Sequence, residues 1–338
     1  MSSVHAIAVW SMPEGIKHWR RAAALFAWAG CVAAQPSFPS RQVTIVVPLQ
    51  AGTASDLVVR VLAERLAAKL SQPFVVENVV GAGGQLGAQR VLKAKPDGYT
   101  LGAFNNAIHA ILPFSNANLP FDPMKAFAAV TLLAKLPSVL IVGPESRAQT
   151  LLDFIALAKQ SPRPLTYASV GVGSPQHLAM EQLKADANFE LLHVPYRGGA
   201  QATLAIAANE VDAFWIATSV ALQFIRERKV RALAVGGRTR TAILPEVPTV
   251  DEAGVAGFEY TPWLALFAPS DTPPAVVELL RREFAEELGR GDVTKRLAAQ
   301  GLEAEASSGA ALMAMIAVER TRTAALIKRI GFTSGATP

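Results

Sequence analysis

Tyr167-Ala168-Ser169-Val170-Gly171-Val172-Gly173-Ser174-Pro175-Gln176-His177-Leu178 passes from strand-forming residues through a glycine loop into helix-forming ones. Leu165 to Ala168 predicts a short strand. Gly171 and Gly173 permit backbone angles closed to other residues. Ser174 suits a helix N-cap, and Pro175 suits the first helical position. Such a junction turns free N–H groups and the positive end of a helix dipole toward one spot, which favours an anion. The same residues also fit a plain tight turn before a well-capped helix.

Working outward, the pattern recurs. Gln42 to Pro48 is β-branched and predicts a buried strand. A loop follows to Ser55, and from Asp56 the residues Leu57, Val58, Val61, Leu62 and Leu66 take helical spacing. Further strands are expected at 74–78, 99–104, 165–168, 191–195, 211–216, 230–235 and 263–268. A long extended stretch, 130–142, is interrupted at Pro137. Helices are expected at 85–95, 151–160, 200–209, 274–289, 293–300 and 310–330. Strands alternating with helices predict an α/β protein with mainly parallel sheets. Ligands of such sheets bind beyond the carboxyl ends of the strands.

The chain of 338 residues is long enough for two domains with sizeable cores. Half its residues are apolar and 17% are charged, which excludes a disordered chain. Its net charge of +5 is spread along the sequence rather than gathered in a basic stripe, so no nucleic-acid partner is expected. Lys17, Arg20 and Arg21 precede the apolar run 22–34, which ends in Val32-Ala33-Ala34. That reads as a signal peptide over 1–34, cleaved to leave Gln35 first, with Met12 an alternative start. No later segment has 18 uncharged apolar residues, so the mature protein is expected to be soluble. The single cysteine, Cys31, lies inside the signal. The mature chain is then expected to hold neither a disulfide nor a cysteine-bound metal. Trp28-Ala29-Gly30-Cys31 is a weaker alternative, a lipid-anchoring box with Trp in place of the usual aliphatic residue.

Several catalytic and cofactor patterns fail. Gly81-Ala82-Gly83-Gly84-Gln85-Leu86-Gly87 places its third glycine one residue late for a dinucleotide fingerprint, and no acid follows about 20 residues on. Ser174 lacks the flanking glycines of a nucleophile elbow. His109, His177 and His193 are scattered, with no metal-ligand spacing. His177, three residues after Ser174, is expected to hydrogen-bond locally. No cofactor, metal or catalytic residue is expected.

Five stretches in this order resemble the periplasmic solute receptors of tripartite tricarboxylate transporters, the Bug receptors. They are Lys95-Pro-Asp-Gly-Tyr-Thr-Leu101, Ala168-Ser-Val-Gly-Val-Gly-Ser-Pro-Gln-His-Leu178, His193-Val-Pro-Tyr-Arg-Gly-Gly199, Arg231-Ala-Leu-Ala-Val235 and Leu244-Pro-Glu-Val-Pro-Thr-Val250. The resemblance spans about 42–331. It implies a two-lobed, flytrap-like periplasmic binding protein, expected as a monomer, that captures a small carboxylate for membrane transporter subunits or for sensing. The lobes would be 35–137 with 263–338, and 138–262. The competing expectation is an exported α/β hydrolase with Ser174 in its site.

Two loops would act as pincers. The resemblance implies ligand contacts from Leu49, Gln50, Ala51, Ser55 and Asp56 in the first. It implies contacts from Ser169, Gly171, Gly173, Ser174 and His177 in the second. Asn106, Tyr196, Arg197, Gly198 and Trp215 complete the expected pocket. Asp56 is expected to brace its loop rather than meet an anion directly. This chain departs from the family's usual Pro-Phe-x-Pro-Gly-Gly-x-x-Asp, having Leu49, Ala51 and Thr53 where an aromatic, a proline and a glycine are usual. Ile216 stands where relatives often carry an acid. The apolar changes and the scarcity of counter-charges predict a monocarboxylate with an apolar or aromatic body rather than a citrate-like tricarboxylate.

Overall fold

Residues 38–330 are described by the computed structural model. The signal segment, Gln35 and Cys31 lie outside them. In chain order the first elements are β1 (Val43–Val47), α1 (Ala54–Leu70), β2 (Phe74–Asn78), α2 (Gln85–Leu92) and β3 (Thr100–Asn105). A helical turn (Ala107–Ile111) then runs into the short α3 (Leu112–Ser115), followed by α4 (Pro123–Ala126) and β4 (Phe127–Lys135). Next come β5 (Ser138–Val142), α5 (Leu151–Gln160), β6 (Thr166–Ser169), α6 (Pro175–Ala187) and β7 (Leu192–Pro195). They are followed by α7 (Gly199–Ala207), β8 (Ala213–Ala217), α8 (Thr218–Arg226) and β9 (Arg231–Val235). The chain continues with β10 (Trp263–Pro269), α9 (Pro274–Leu288), α10 (Gly291–Ala298), β11 (Glu303–Ala304) and α11 (Gly309–Arg329).

The strands form two sheets, ordered β11-β4-β10-β3-β1-β2 and β7-β6-β8-β5-β9. Both are mixed rather than mainly parallel. β1 pairs parallel with β2 and β3, and β6 pairs parallel with β7 and β8. β10 runs antiparallel to β3 and β4, and β5 runs antiparallel to β8 and β9. Around Pro137 the chain passes from one sheet to the other, so the stretch expected at 130–142 is two strands in two sheets. Pro137 has no N–H to continue a ladder. Its neighbours are held instead by the bonds Leu136 N–H to Pro262 O and Thr218 N–H to Pro137 O, both 2.8 Å. The chain returns between β9 and β10.

The second sheet is apolar on both faces, which explains its unbroken hydrophobic runs. Every residue of β5 is buried. Leu140 and Val142 face a core with Phe154, Met180 and Trp215, while Val139 and Ile141 face another with Ile206, Phe214 and Leu222. That alternation is the two-residue period of a strand. In the first sheet Val46, Phe104, Leu132 and Phe267 pack with Leu312 and Ile316 of α11. Farther along α11, Leu326 and Ile327 pack with Ile111 and with Leu178 of α6. Arg322 and Arg329 pair with Glu259 and Asp186 at 3.3 and 3.1 Å. The last helix therefore ties elements of both sheets together.

α8 is absent from the sequence expectations. It begins directly after β8, its N-cap is Ala217, and no side chain caps it, so no start signal marks it.

Candidate functional site

A cleft of about 880 Å³ opens where loops following strands of both sheets meet. It lies beyond the carboxyl ends of β1, β6, β7 and β8, as parallel strands direct. The loop after β1 is tied by a knot of polar groups. Thr53 caps α1, accepting from Asp56 N–H at 3.4 Å, and its hydroxyl donates to Gln50 O at 3.0 Å. The Asp56 carboxylate accepts from Gly52 N–H at 2.9 Å, Arg60 Nε at 2.8 Å and Asn78 Nδ2 at 2.9 Å. Asn78 Nδ2 also donates to Leu49 O at 3.0 Å. Burial opposes the charge on Asp56, but the hydrogen bonds from Arg60, Gly52 and Asn78 outweigh it and hold its carboxyl below the usual range.

The loop after β6 is built differently. Gly171 and Gly173 take φ of +123° and +76°, the left-handed region that favours glycine. Ser169 Oγ accepts from Gly171 N–H at 3.0 Å and lies 2.6 Å from His193 Nε2. Ser174 caps α6, accepting from His177 N–H at 3.3 Å. Gly173 N–H donates to His177 Nδ1 at 3.3 Å. That bond requires the neutral ring with its proton on Nε2. Burial, with the neighbouring His193 adding to it, pushes the His177 pKa down to about 4. His177 thus braces the loop through its ring, as its spacing from Ser174 predicts.

Eight of the expected residues line the cleft: Leu49, Gln50 and Ser55 from the first sheet's loops, and Gly173, Ser174, Arg197, Gly198 and Trp215 from the second sheet and its loops. Ala51, Asp56, Ser169, Gly171, His177 and Tyr196 do not line it. Ser169, Asp56 and His177 are buried behind its walls in the loop hydrogen bonds just described. Asn106 also points elsewhere, donating from Nδ2 to Glu319 Oε1 at 2.9 Å on α11. Its neighbour Asn105 lines the cleft instead. Trp215 Nε1 donates to Ser138 Oγ at 2.7 Å, which fixes the indole as a buried wall.

A third glycine loop, Gly81 to Gly84, also lines the cleft. Gly81, Gly83 and Gly84 all have positive φ, and Gly84 precedes α2. Gly87, the misplaced third glycine of the failed fingerprint, is needed for packing. A Cβ there would lie 2.7 Å from Pro48 Cβ and 3.0 Å from Pro48 Cα. The signal for this loop was present in the glycines, but their spacing matched no phosphate motif.

The starts of α1, α2, α6 and α7 all border the cleft, so four helices turn their positive ends toward one space. α7 has neither a side-chain cap nor an acid in its first turn. No group of three or more His, Cys, Asp or Glu among the described residues is placed to hold a metal ion. None of the helices among the described residues is long and apolar enough to cross a membrane.

Two mixed α/β lobes around a cleft ringed by helix N-termini define a periplasmic-binding-protein fold. Residues 58–332 match the family described as the tripartite tricarboxylate transporter family receptor, TctC, and the chain belongs to that family. It is 37% identical over 292 residues to a UPF0065 protein from the tcbD-tcbE intergenic region of Pseudomonas sp. strain P51, covering 86% of this chain and 87% of that one. A solved R. palustris protein with adipate is 32% identical with a TM-score of 0.82, over 87% of this chain and 98% of that one. The periplasmic binding protein BugD is 31% identical with a TM-score of 0.78, over 87% and 99%. The family is described as one of receptors, and BugD as a periplasmic binding protein.

Proposed function

We propose that this chain is exported to the periplasm by its N-terminal segment, where it acts as a monomeric receptor. It closes on a small carboxylate and presents it to membrane subunits of a tripartite transporter. One observation carries this reading: helix N-termini from both sheets converge on one cleft and stand ready to hold an anion through neutral donors. The lobes are 35–137 with 263–338, and 138–262, the chain crossing near Pro137 and ahead of Trp263. Ser174, Gly173 and Gly198 contact the carboxylate from one lobe, and Leu49, Gln50 and Ser55 enclose the ligand from the other. Asp56, Ser169 and His177 hold the two loops in shape from behind.

The exported-hydrolase alternative gains no support, because Ser174 Oγ is the cap of α6 and His177 Nδ1 is occupied by Gly173 N–H. The test is thermal unfolding of the purified protein against a panel of small carboxylates. A ligand that binds only the folded state must raise the midpoint. Ser174→Ala should cost about 1 kcal/mol through the lost cap and should also weaken binding. Turnover of an ester, phosphate or lactone that vanishes in Ser174→Ala, or no stabilisation by any carboxylate, would defeat the reading.

A further inference from the structure

Resting on that receptor reading, we propose that the cleft selects a ligand with one negative charge and no positive charge, and that Arg197 is the residue that reads it. Arg197 is the only charged side chain among the residues lining the cleft. It is exposed, and no acidic residue pairs with it among the described residues, so its guanidinium is available to a ligand. The lining contains no carboxylate. Asp56, the acid nearest in sequence to the first loop, faces away and is consumed by Arg60, Asn78 and Gly52 N–H. An ammonium group would therefore lose part of its hydration shell inside the cleft and meet only neutral acceptors there, with no carboxylate to balance its charge.

A second carboxylate meets a related obstacle. Ile111, Leu112, Leu136, Val170, Trp215 and Ile216 give much of the wall an apolar face. The end of α1 is already complemented by an acid of its own, Asp56 in its first turn. The first turns of α2, α6 and α7 carry no acid, but α6 and α7 lie together on one side and only α7 has a cation, Arg197, just ahead of it. The favourable potential is therefore strongest on the 138–262 side. One carboxylate belongs there, with an uncharged body against the apolar wall.

The experiment is calorimetric binding to the whole protein with two size-matched series. The first is hexanoate, adipate, hexanamide and 6-aminohexanoate, and the second is benzoate, phthalate and benzamide. The monoanion should bind at least roughly tenfold tighter than its dianionic, neutral and zwitterionic counterparts in the series that fits. Arg197→Gln, at an exposed and unpaired position, should keep the fold and remove most of the preference for the monoanion over its amide. A dianion binding more tightly than its monoanion in both series would overturn the inference and leave the receptor reading standing. An unchanged preference in Arg197→Gln would overturn the role of Arg197. If no anion of either series bound while a dicarboxylate or tricarboxylate from the wider panel raised the unfolding midpoint, this inference would fall and the receptor reading would stand.

Discussion

His109 offers a direct test of how the lobe containing β1–β4 responds to acid. Its side chain is fully buried, and neither ring nitrogen has a hydrogen-bond partner. The ring stacks on Phe267 with centroids 4.1 Å apart, and Phe104, Phe127 and Trp263 surround it. Burial, with the Arg320 charge adding to it, pushes its pKa down from 6.5 to about 3. A base with a depressed folded pKa stays neutral in the fold while the unfolded chain takes up a proton. Its stabilising contribution is therefore complete above about pH 6.5 and is lost progressively as pH falls from there toward about 3. Between about pH 7.5 and about pH 5 the unfolded state gains roughly 2 kcal/mol from protonating this one residue. That figure depends on the unfolded pKa and hardly at all on the folded value, provided the latter stays below about 4. Replacing His109 by Leu removes the titration and the two unpaired nitrogens together. Urea unfolding of both proteins at the two pH values cancels every other titrating group. The variant should lose about 2 kcal/mol less than the wild type on acidification, and at the higher pH it should match the wild type within about 1 kcal/mol. Equal losses in both proteins would refute the reasoning, as would an NMR titration of the folded His109 ring near its ordinary pKa.

Asp56→Ala should destabilise by about 3 kcal/mol in urea unfolding, because Gly52 N–H and Asn78 Nδ2 lose their buried acceptor. It should also weaken ligand binding by loosening residues 49–52, and unchanged affinity would show that the knot does not shape the loop. Gly84→Ala should cost at least about 1 kcal/mol, since φ is +100° and the new Cβ would lie 2.7 Å from Ile108 Cδ1. A wild-type melting temperature would refute that strain.

The fold was legible where local signals agreed. Ser174 followed by Pro175 predicts the start of α6, and Thr150 with Asp153 forms a capping box at α5, whose bounds match the expectation. The sheet directions were not legible, because β5 and β10 owe their antiparallel pairing to the chain's passage between sheets. Pro137 marks a break but cannot say that the strands on either side belong to different sheets. Within the site, the two pincer loops were visible as capped helix starts. Which of their side chains face the cleft was not, because Asp56, Ser169 and His177 are spent on neighbouring backbone and side-chain groups. The roles of Asn105 and Asn106 differ by one residue at the end of β3, where the turn of the backbone, not composition, decides which side chain faces the cleft. The Gly81–Gly84 loop carries glycines for positive φ but not the spacing of a phosphate motif, so its place at the cleft follows from the fold rather than from the sequence pattern.

The arrangement of charges follows from what a receptor must do. A carboxylate locked into a fully buried ion pair would have to be desolvated on entry and rehydrated on release, and both steps are costly. Helix N-termini divide the work among neutral N–H groups that were already unsatisfied at the ends of α6 and α7. Arg197, the one charged side chain of the lining, is exposed, so it can steer an anion toward the cleft and meet it there without first being desolvated. Holding the ligand then depends on the two lobes bringing their helix ends together, and α11, packed against elements of both sheets, opposes their complete separation. On the proposed reading, capture and release then rest on a motion of the lobes together with the contacts each contributes.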